Sequence, residues 1–394
     1  MPCQFLNTAF PSPQVVQMFP RLLIVELAVA IVIGHAASGG HGLLAHYDRV
    51  FSFGDSLTDT GNGAILPATA RGPSTRPPYG ETYFHHPSGR ASDGRLIIDF
   101  IVEALRVPEP TPYLAGETAV DFRHGANFAV GGATALDPAF LESRGVEAST
   151  VSASLRNETS WFRDTLQLLA GSSAHEQRKV VASSLFYFGE IGVNDYFYAL
   201  FSNGGTVDLA NDLVPHIISV VRSALIAVIA AGARTVVVTG MLPLGCEPQL
   251  LALFPGGADD YDPASGCITR FNEVAELHNR ELNLMLRNLG RARPGVSVLY
   301  ADIYRPIADA VVSPAKYGFG DRPLVAYCGG GGGPYHFDFT AFCSMPGSSE
   351  CSGPPSEFLS WDGIHFTEAA NRFIAGAMLR EMYKDVYSAL TSAL

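Results

Sequence analysis

The chain alternates short apolar runs with longer stretches of helical periodicity. Five apolar runs, rich in β-branched and aromatic residues, predict strands at Val50–Phe53, Asn127–Val130, Leu185–Phe188, Thr235–Thr239 and Val296–Tyr300. Longer amphipathic or apolar stretches predict helices at Arg95–Leu105, Trp161–Ala170, Leu209–Ala231, Ile268–Leu289 and from Thr367 to the carboxyl end. Strands that are apolar on both faces and alternate with helices favour a parallel sheet with helices on each face. The pattern therefore predicts one three-layer α/β/α domain.

The amino-terminal residues have the pattern of a secretory signal peptide. Arg21 precedes an apolar stretch that runs to Ile33, and small residues follow it. Glu26 interrupts the stretch, which is also shorter than the roughly 20 residues that a bilayer requires. We expect a signal over residues 1–38 and a single domain over residues 39–394, with no membrane span after the signal is removed. A start at Met18 would give a more compact signal, and an anchor retained in the Golgi is the alternative.

Composition and charge narrow the class of protein. Of the 394 residues, 47% are hydrophobic and only 16% are charged, so a large core can be buried. A net charge of -12 argues against a nucleic-acid partner, because phosphate binding needs a basic surface. The five glycines from Gly329 to Gly333 lack the Lys-Ser or Lys-Thr of a phosphate loop, and no cofactor or metal is implied. One glycosylation sequon, Asn157-Glu158-Thr159, is consistent with secretion.

The cysteines also indicate an oxidising compartment. Cys3 would leave with the signal, so five cysteines would remain and at least one would lack a partner within the chain. Close spacing predicts two disulfides and leaves Cys328 over. The predicted pairs are Cys246–Cys267 and Cys343–Cys351. Zinc binding is the rival interpretation, but the chain has no Cys-x-x-Cys pair.

Two segments supply a candidate nucleophile and its base. Ser56 lies in Gly-Asp-Ser directly after the first predicted strand, where a tight turn can expose a hydroxyl at the carboxyl edge of a sheet. Asp362 and His365 lie three positions apart in one turn, so the carboxylate can accept the Nδ1–H of the imidazole and leave Nε2 free for Ser56. Thr367 is expected to cap the helix that follows. Taken alone, the Gly-Asp-Ser segment is also typical of an ordinary turn, and His365 is also typical of a surface histidine near a helix start.

Two further strand ends offer hydrogen-bond donors. Asn194 lies in the turn after the third predicted strand and can direct its side-chain amide at a developing oxyanion. The pair Gly131-Gly132 follows the second strand, and glycines let the backbone approach a ligand and present an N–H group. Taken singly, Asn194 and the glycine pair are also residues that are common in tight turns. Because the carboxyl ends of parallel strands meet at one edge, the four segments together predict one acyl-transfer site.

The order and context of these motifs resemble the SGNH hydrolase superfamily and, more narrowly, the plant GDSL-type esterases/lipases. The resemblance covers the chain from Arg49 to the last helix and includes Phe-Gly-Asp-Ser-Leu, Gly-Glu-Ile-Gly-Val-Asn-Asp and Trp-Asp-Gly-Ile-His. It implies a flavodoxin-like parallel sheet of five strands. The implied catalytic residues are Ser56, His365 and Asp362, and the implied oxyanion hole is formed by the N–H groups of Ser56 and Gly132 and the side chain of Asn194. Gly131 is an alternative to Gly132.

The resemblance also implies a reaction but not a substrate. We expect a secreted serine carboxylester hydrolase of the apoplast or cell wall that acts through an acyl-enzyme. An acetylated wall polysaccharide is favoured as the ester, and lipid or phenolic esters are the alternatives. Tyr196 and Tyr198 suggest sugar or aromatic stacking, with core packing equally open. A catalytically inactive binding protein is the hypothesis from a different class.

Overall fold

A computed structural model describes residues 47–382, and its centre is a parallel sheet of six strands. The strands are β1 (Arg49–Phe53), β2 (Thr111–Pro112), β3 (Gly125–Asn127), β4 (Ser184–Phe188), β5 (Thr235–Thr239) and β6 (Ser297–Ala301). Their order across the sheet is β2-β3-β1-β4-β5-β6, and every neighbouring pair is parallel. The predicted signal peptide, Cys3 and the alternative start at Met18 lie outside the described residues.

The five predicted strands are all present, and the two-residue edge strand β2 was not predicted. Without β2, the remaining strands have the flavodoxin-like order 2-1-3-4-5, in which β1 and its neighbours form the topological switch point. The second predicted strand is displaced, because the ladder ends at Asn127 and residues 128–130 continue beyond it. Glycine-containing turns therefore follow β1, β3 and β4 at one edge of the sheet.

The helices surround the sheet in two groups. They are α1 (Asn62–Ile65), α2 (Ile97–Leu105), α3 (Pro138–Ser143), α4 (Leu155–Ala170), α5 (Ala174–Ala182), α6 (Val193–Phe201), α7 (Val207–Ala231), α8 (Pro248–Leu253), α9 (Thr269–Ala292), α10 (Tyr304–Val312) and α11 (Glu368–Met382). Helix α7 packs against α4, α5, α6 and α9, while α11 packs against α2 and α10. Thr367 caps α11 as predicted, since its hydroxyl accepts a hydrogen bond from the N–H of Ala370 (3.1 Å).

Phenylalanine side chains fill the core between the sheet and α4. Phe51 and Phe53 point to the same face of β1, and both are fully buried. The ring of Phe162 on α4 lies 5.4 Å from that of Phe51 in an edge-to-face arrangement. The ring of Phe188 on β4 stacks on Phe53 at 4.4 Å. Aromatic contacts of this kind stabilise β1, and β1 carries the turn that presents Ser56.

Helix α4 begins six residues before its predicted start and contains the glycosylation sequon. Ser154 caps it, with its backbone N–H donating to Asn157 Oδ1 (2.9 Å). Asn157 is exposed in the first turn, whereas the hydroxyl of Thr159 is turned inward and donates to the carbonyl of Leu155 (2.7 Å). The amide nitrogen of Asn157 thus lies on the surface, and its glycosylation stays a prediction.

Helix α7 is the one helix in residues 47–382 that is long and apolar enough to cross a membrane by length and composition alone. It buries Leu213, Ile217, Val221 and Leu225 in the domain core. The core helix of a water-soluble domain has the same composition, so this finding is weak evidence for a span.

The disulfides agree with one of the two predicted pairs. Cys246–Cys267 is present, with its two cysteines 21 positions apart. The predicted pair Cys343–Cys351 is wrong, because Cys343 is bonded to Cys328. Spacing favoured Cys351 because it is nearer in sequence, but Cys328 and Cys343 are brought to a Cα–Cα distance of 5.2 Å, within the range that a disulfide requires. Cys328 is therefore paired, contrary to the expectation that it is left over.

Candidate active site

Ser56 lies in a tight turn that is fixed by its neighbours. Gly54 adopts a φ of +140°, and a Cβ there would lie 2.9 Å from the carbonyl oxygen of Glu190. The carboxylate of Asp55 accepts a hydrogen bond from the N–H of Leu57 (2.9 Å), which closes the turn around the serine. Ser56 is partly exposed, whereas the residues on both sides of it are buried. The turn therefore presents one hydroxyl at the carboxyl edge of the sheet.

The carboxylate of Asp59 joins the serine turn to the glycine pair. It accepts hydrogen bonds from four backbone N–H groups, those of Gly61, Asn62, Gly63 and Gly131, at 2.7 to 2.8 Å. Burial raises the pKa of Asp59 above its ordinary value, and these donors offset only part of that rise by stabilising the carboxylate. The sequence motif Gly-Asp-Ser-Leu-Thr-Asp contains Asp59, but this structural role was not predicted.

Asn127 makes a second link between the same two motifs. Its amide donates to the carbonyl oxygen of Thr58 (2.7 Å) and to the hydroxyl of Thr60 (2.9 Å). The side chain is fully buried at the end of β3. A buried asparagine inside an apolar strand was the signal in the sequence that could have identified it.

Ser56, His365 and Asp362 are hydrogen-bonded in series. His365 Nε2 lies 2.8 Å from Ser56 Oγ, and His365 Nδ1 lies 2.7 Å from Asp362 Oδ2. Asp362 Oδ1 accepts the backbone N–H groups of Ile364 (3.0 Å) and His365 (2.8 Å), so the turn itself orients the carboxylate. The structure therefore brings the three residues together, although Ser56 and His365 are 309 positions apart in the sequence.

Tyr79 also belongs to this site, and sequence analysis did not predict it. Its hydroxyl donates to Asp362 Oδ2 (2.7 Å), and the side chain is almost fully buried. Tyr79 comes from a Pro/Gly-rich segment between residues 67 and 80. A contact over 283 positions leaves no local periodicity or spacing to detect.

The charges of His365 and Asp362 stabilise each other. Burial alone would lower the pKa of His365, but the Asp362 carboxylate outweighs it and raises that pKa above its ordinary value. Burial alone would raise the pKa of Asp362, but His365 and the hydrogen bond from Tyr79 lower it. The pair is therefore suited to hold a proton on the imidazole while the carboxylate stays ionised.

Candidate oxyanion donors lie in the segments that follow β1, β3 and β4. In residues 47–382, the N–H groups of Ser56 and Gly132 donate to no protein acceptor. The N–H of Gly131, by contrast, is bonded to Asp59 Oδ2 (2.8 Å), which leaves Gly132 as the glycine with a free donor. Asn194 Nδ2 donates to Asp55 Oδ2 (3.1 Å) and to the carbonyl of Ala133 (2.9 Å). The Asn194 amide is thus held rigidly beside the serine turn, with both protons already engaged.

Several buried carboxyl groups surround this site. Asp55, Glu158, Glu190, Asp195 and Glu247 are each at most 5% exposed. Glu158 accepts the N–H of Gly54 (2.9 Å), and Asp195 accepts the N–H groups of Ala135 and Leu136. Burial raises the pKa of Glu158, Glu190 and Glu247 well above the ordinary value. Burial therefore favours the protonated form of these three glutamates.

Tyr196 and Tyr198 differ in their surroundings. Tyr196 is fully buried, and its hydroxyl lies 2.8 Å from Nδ1 of the buried His278. Tyr196 therefore packs in the core and cannot stack on a substrate. Tyr198 is only partly buried, and its hydroxyl contacts Thr150 Oγ1 (3.2 Å).

The described residues contain no cluster of side chains that could bind a metal ion. No group of three or more His, Cys, Asp or Glu side chains within residues 47–382 is arranged to hold a metal ion. Among the carboxyl groups around Ser56, Glu158 and Asp195 accept backbone N–H groups, and burial disfavours the ionised form of Glu158, Glu190 and Glu247. They are not grouped as the ionised ligands that a metal needs.

A hydroxyl, an imidazole and a carboxylate in series at the carboxyl edge of a parallel α/β sheet are the arrangement of a serine hydrolase. Comparison with known proteins agrees: residues 50–378 match the family model "GDSL-like Lipase/Acylhydrolase". One GDSL esterase/lipase of Arabidopsis thaliana is 42% identical over 340 residues, which cover 86% of this chain and 85% of the relative. Another from the same plant is 41% identical over 369 residues, 93% of each chain. The chain belongs to the GDSL esterase/lipase family and is a carboxylic ester hydrolase.

Proposed function

We propose that this enzyme cleaves its ester through a covalent acyl-enzyme formed on Ser56. His365 Nε2 takes the hydroxyl proton as Ser56 Oγ attacks the ester carbonyl, and the alcohol leaves with that proton. Water then attacks the acyl-enzyme by the same route and returns the free serine. Asp362 holds the imidazole in the required tautomer. The observation that carries the proposal is the continuous hydrogen bonding from Ser56 Oγ through His365 to Asp362.

In this proposal, the oxyanion is stabilised by the N–H groups of Ser56 and Gly132 and by the amide of Asn194. The two backbone donors are free, which supports their part. The Asn194 amide is engaged with Asp55 and Ala133, so one of its protons would have to be shared with the oxyanion as the tetrahedral intermediate forms. Catalytic hydrogen bonds often tighten only at that stage.

The nucleophile can be tested with an unselective ester. We expect the wild-type protein to hydrolyse p-nitrophenyl acetate and the Ser56→Ala variant to fall to the background rate. Ser52→Ala, at a buried serine on β1, is the matched control and should keep the wild-type rate. Equal rates for wild type and Ser56→Ala would overturn the mechanism, and equal rates at the background level would favour a catalytically inactive binding protein.

Secretion is part of the proposal. The charged, apolar and small residues of positions 21–38 support it, as do two disulfides among residues 47–382, because such bonds persist in oxidising compartments. We propose the apoplast or cell wall as the location, with the Golgi lumen as the alternative. Sequencing the amino terminus of the protein recovered from culture medium tests both the export and the cleavage site.

The nature of the ester has two candidates. The family resemblance favours an acetylated wall polysaccharide. Tyr196 does not support this candidate, because its ring is buried and cannot stack on a sugar. An ester with an apolar acyl or aromatic part is favoured by an aromatic ridge of four residues: Phe337, Phe339, Phe201 and Phe254.

This aromatic ridge begins at the turn that carries His365. A Cβ on Gly363 would lie 2.3 Å from the ring of Phe337, so that ring packs directly on the Asp362–His365 turn. The next rings follow at centroid distances of 5.0 Å (Phe337 to Phe339), 6.1 Å (Phe339 to Phe201) and 5.6 Å (Phe201 to Phe254). Phe339 is 49% exposed and Phe201 is 40% exposed. An apolar surface beside a catalytic turn supports contact with an apolar part of the substrate.

A further inference from the structure

Two buried carboxyl groups are neighbours beneath the Ser56 turn. Asp55 follows β1 and is fully buried, and Glu190 follows β4 and is 3% exposed. The backbone N–H of Asp55 donates to the carbonyl of Glu190 (3.2 Å), and the two side chains are close enough to influence each other's ionisation directly. Two ionised carboxylates would repel each other there, and neither would have a proton to donate. The contact therefore requires one of the two groups to be protonated.

The other hydrogen bonds identify which group holds the proton. Both oxygens of Asp55 accept donors, the N–H of Leu57 (2.9 Å) and the amide of Asn194 (3.1 Å), as an ionised carboxylate would. Glu190 Oε1 accepts the N–H of Val193 (3.1 Å). Glu190 Oε2 is buried and receives no donor within residues 47–382. A proton on Oε2 would turn this buried oxygen into a donor, and the neighbouring Asp55 carboxylate is the acceptor that we infer for it.

The charges around the pair favour the same assignment. His365, which becomes a cation during catalysis, acts on Asp55 and favours its ionised form. The groups that act on Glu190 are the negative charges of Asp55 and Asp195, and both disfavour its ionisation. Burial raises the pKa of both carboxyl groups, so the neighbouring charges and hydrogen bonds decide between them. Nearby Glu158 and Glu247 are buried acids and offer no cation.

We propose that Glu190 is a positioning residue for ester hydrolysis: its protonated carboxyl donates to Asp55, and the Asp55 carboxylate then holds the amide of Asn194 beside Ser56. The proposal rests on the acyl-enzyme mechanism given above. An ionised Glu190 would repel Asp55 and release the Asn194 amide. Glutamine, which also presents an N–H donor to Asp55 and an oxygen to Val193, should replace Glu190, whereas leucine should not.

Kinetics with p-nitrophenyl acetate test the positioning role. We expect Glu190→Gln to keep kcat within about threefold of the wild type, and Glu190→Leu to lower kcat by roughly tenfold or more with little change in KM, because a buried acceptor loses its partner. Glu247→Gln, at another buried acid without a hydrogen bond to Asp55 or Asn194, is the control and should keep the wild-type kcat. A Glu190→Gln variant as slow as Glu190→Leu, or a fully active Glu190→Leu, would overturn the role.

Infrared spectroscopy tests the protonation without any activity. The difference spectrum of wild type minus Glu190→Gln at neutral pH should contain the carbonyl stretch of a protonated carboxylic acid. A carboxylate band in its place would overturn the proposal, even where Glu190→Leu fails to fold. If turnover by the wild-type protein does not depend on Ser56, the proposed acyl-enzyme mechanism is wrong. The infrared band would still show whether Glu190 is protonated.

Discussion

The charge of His365 controls the proposed reaction at the scale of single residues. Nε2 accepts the Ser56 proton only while the imidazole is neutral, so the imidazolium form of the free enzyme is inactive. The Asp362 carboxylate favours the imidazolium and raises the pKa of His365 above its ordinary value of 6.5. Tyr79 moderates this effect, because its hydrogen bond withdraws part of the negative charge of Asp362.

The acid limb of the pH profile should therefore lie above pH 6.5, the ordinary pKa of histidine. We expect kcat/KM for p-nitrophenyl acetate to fall as the pH drops through this limb. Tyr79→Phe should move the limb to higher pH, because Asp362 then attracts the imidazolium more strongly. Tyr83→Phe, at an exposed tyrosine, is the control. A limb below the ordinary value, or a flat profile, would contradict the assignment of His365 as base.

Asn194 should contribute to the transition state more than to substrate binding. Loss of one oxyanion donor typically costs about 10²–10³ in kcat, and we expect Asn194→Ala to fall in this range with KM nearly unchanged. The side chain also bonds to Asp55 and Ala133, so a melting curve must accompany the kinetics. An unchanged kcat would assign Asn194 to turn structure alone.

At the scale of elements, the active residues come from the ends of strands and from one helix start. The sequence predicted these positions because a strand that ends in Gly, Asp, Ser or Asn has a local signature. It did not predict the side chains that join the turns to one another, Asp59 and Asn127, because their partners lie up to 72 positions away. The predicted strands thus located the site, and tertiary contacts complete it.

The Cys328–Cys343 disulfide should stabilise the loop that presents the aromatic ridge. It closes a loop of 15 positions that contains Phe337 and Phe339, and the chain-entropy model assigns such a loop about 3 kcal/mol. We expect the double variant Cys328→Ser/Cys343→Ser to lose about this free energy of unfolding in urea. Cys246→Ser/Cys267→Ser is the comparison, since it opens a different loop. A non-reduced peptide map that joins Cys343 to Cys351 would contradict the pairing.

At the scale of the whole molecule, the sequence predicted the α/β/α layers and the four converging segments. Alternation of strand and helix periodicity determines those layers, so it could be interpreted without a structure. The prediction of the second disulfide was wrong because pairing depends on distance in space rather than in sequence. The edge strand β2, Tyr79 and the protonated Glu190 depend on contacts between distant segments, for which one sequence carries no pattern.

The aromatic ridge makes a prediction about which esters the whole molecule prefers. If the apolar part of the substrate lies along the exposed rings, Phe201→Ser/Phe339→Ser should lower kcat/KM for p-nitrophenyl octanoate by roughly tenfold, the equivalent of about two buried methylene groups. The same variant should leave kcat/KM for p-nitrophenyl acetate unchanged, because an acetyl group is too short to reach the exposed rings from Ser56. Leu284→Ser, at a 53% exposed apolar side chain on α9, is the matched control. Equal losses on both esters would indicate damage to the fold, and no loss on the octanoate would remove the ridge from the substrate site and restore the acetylated glycan as the favoured ester.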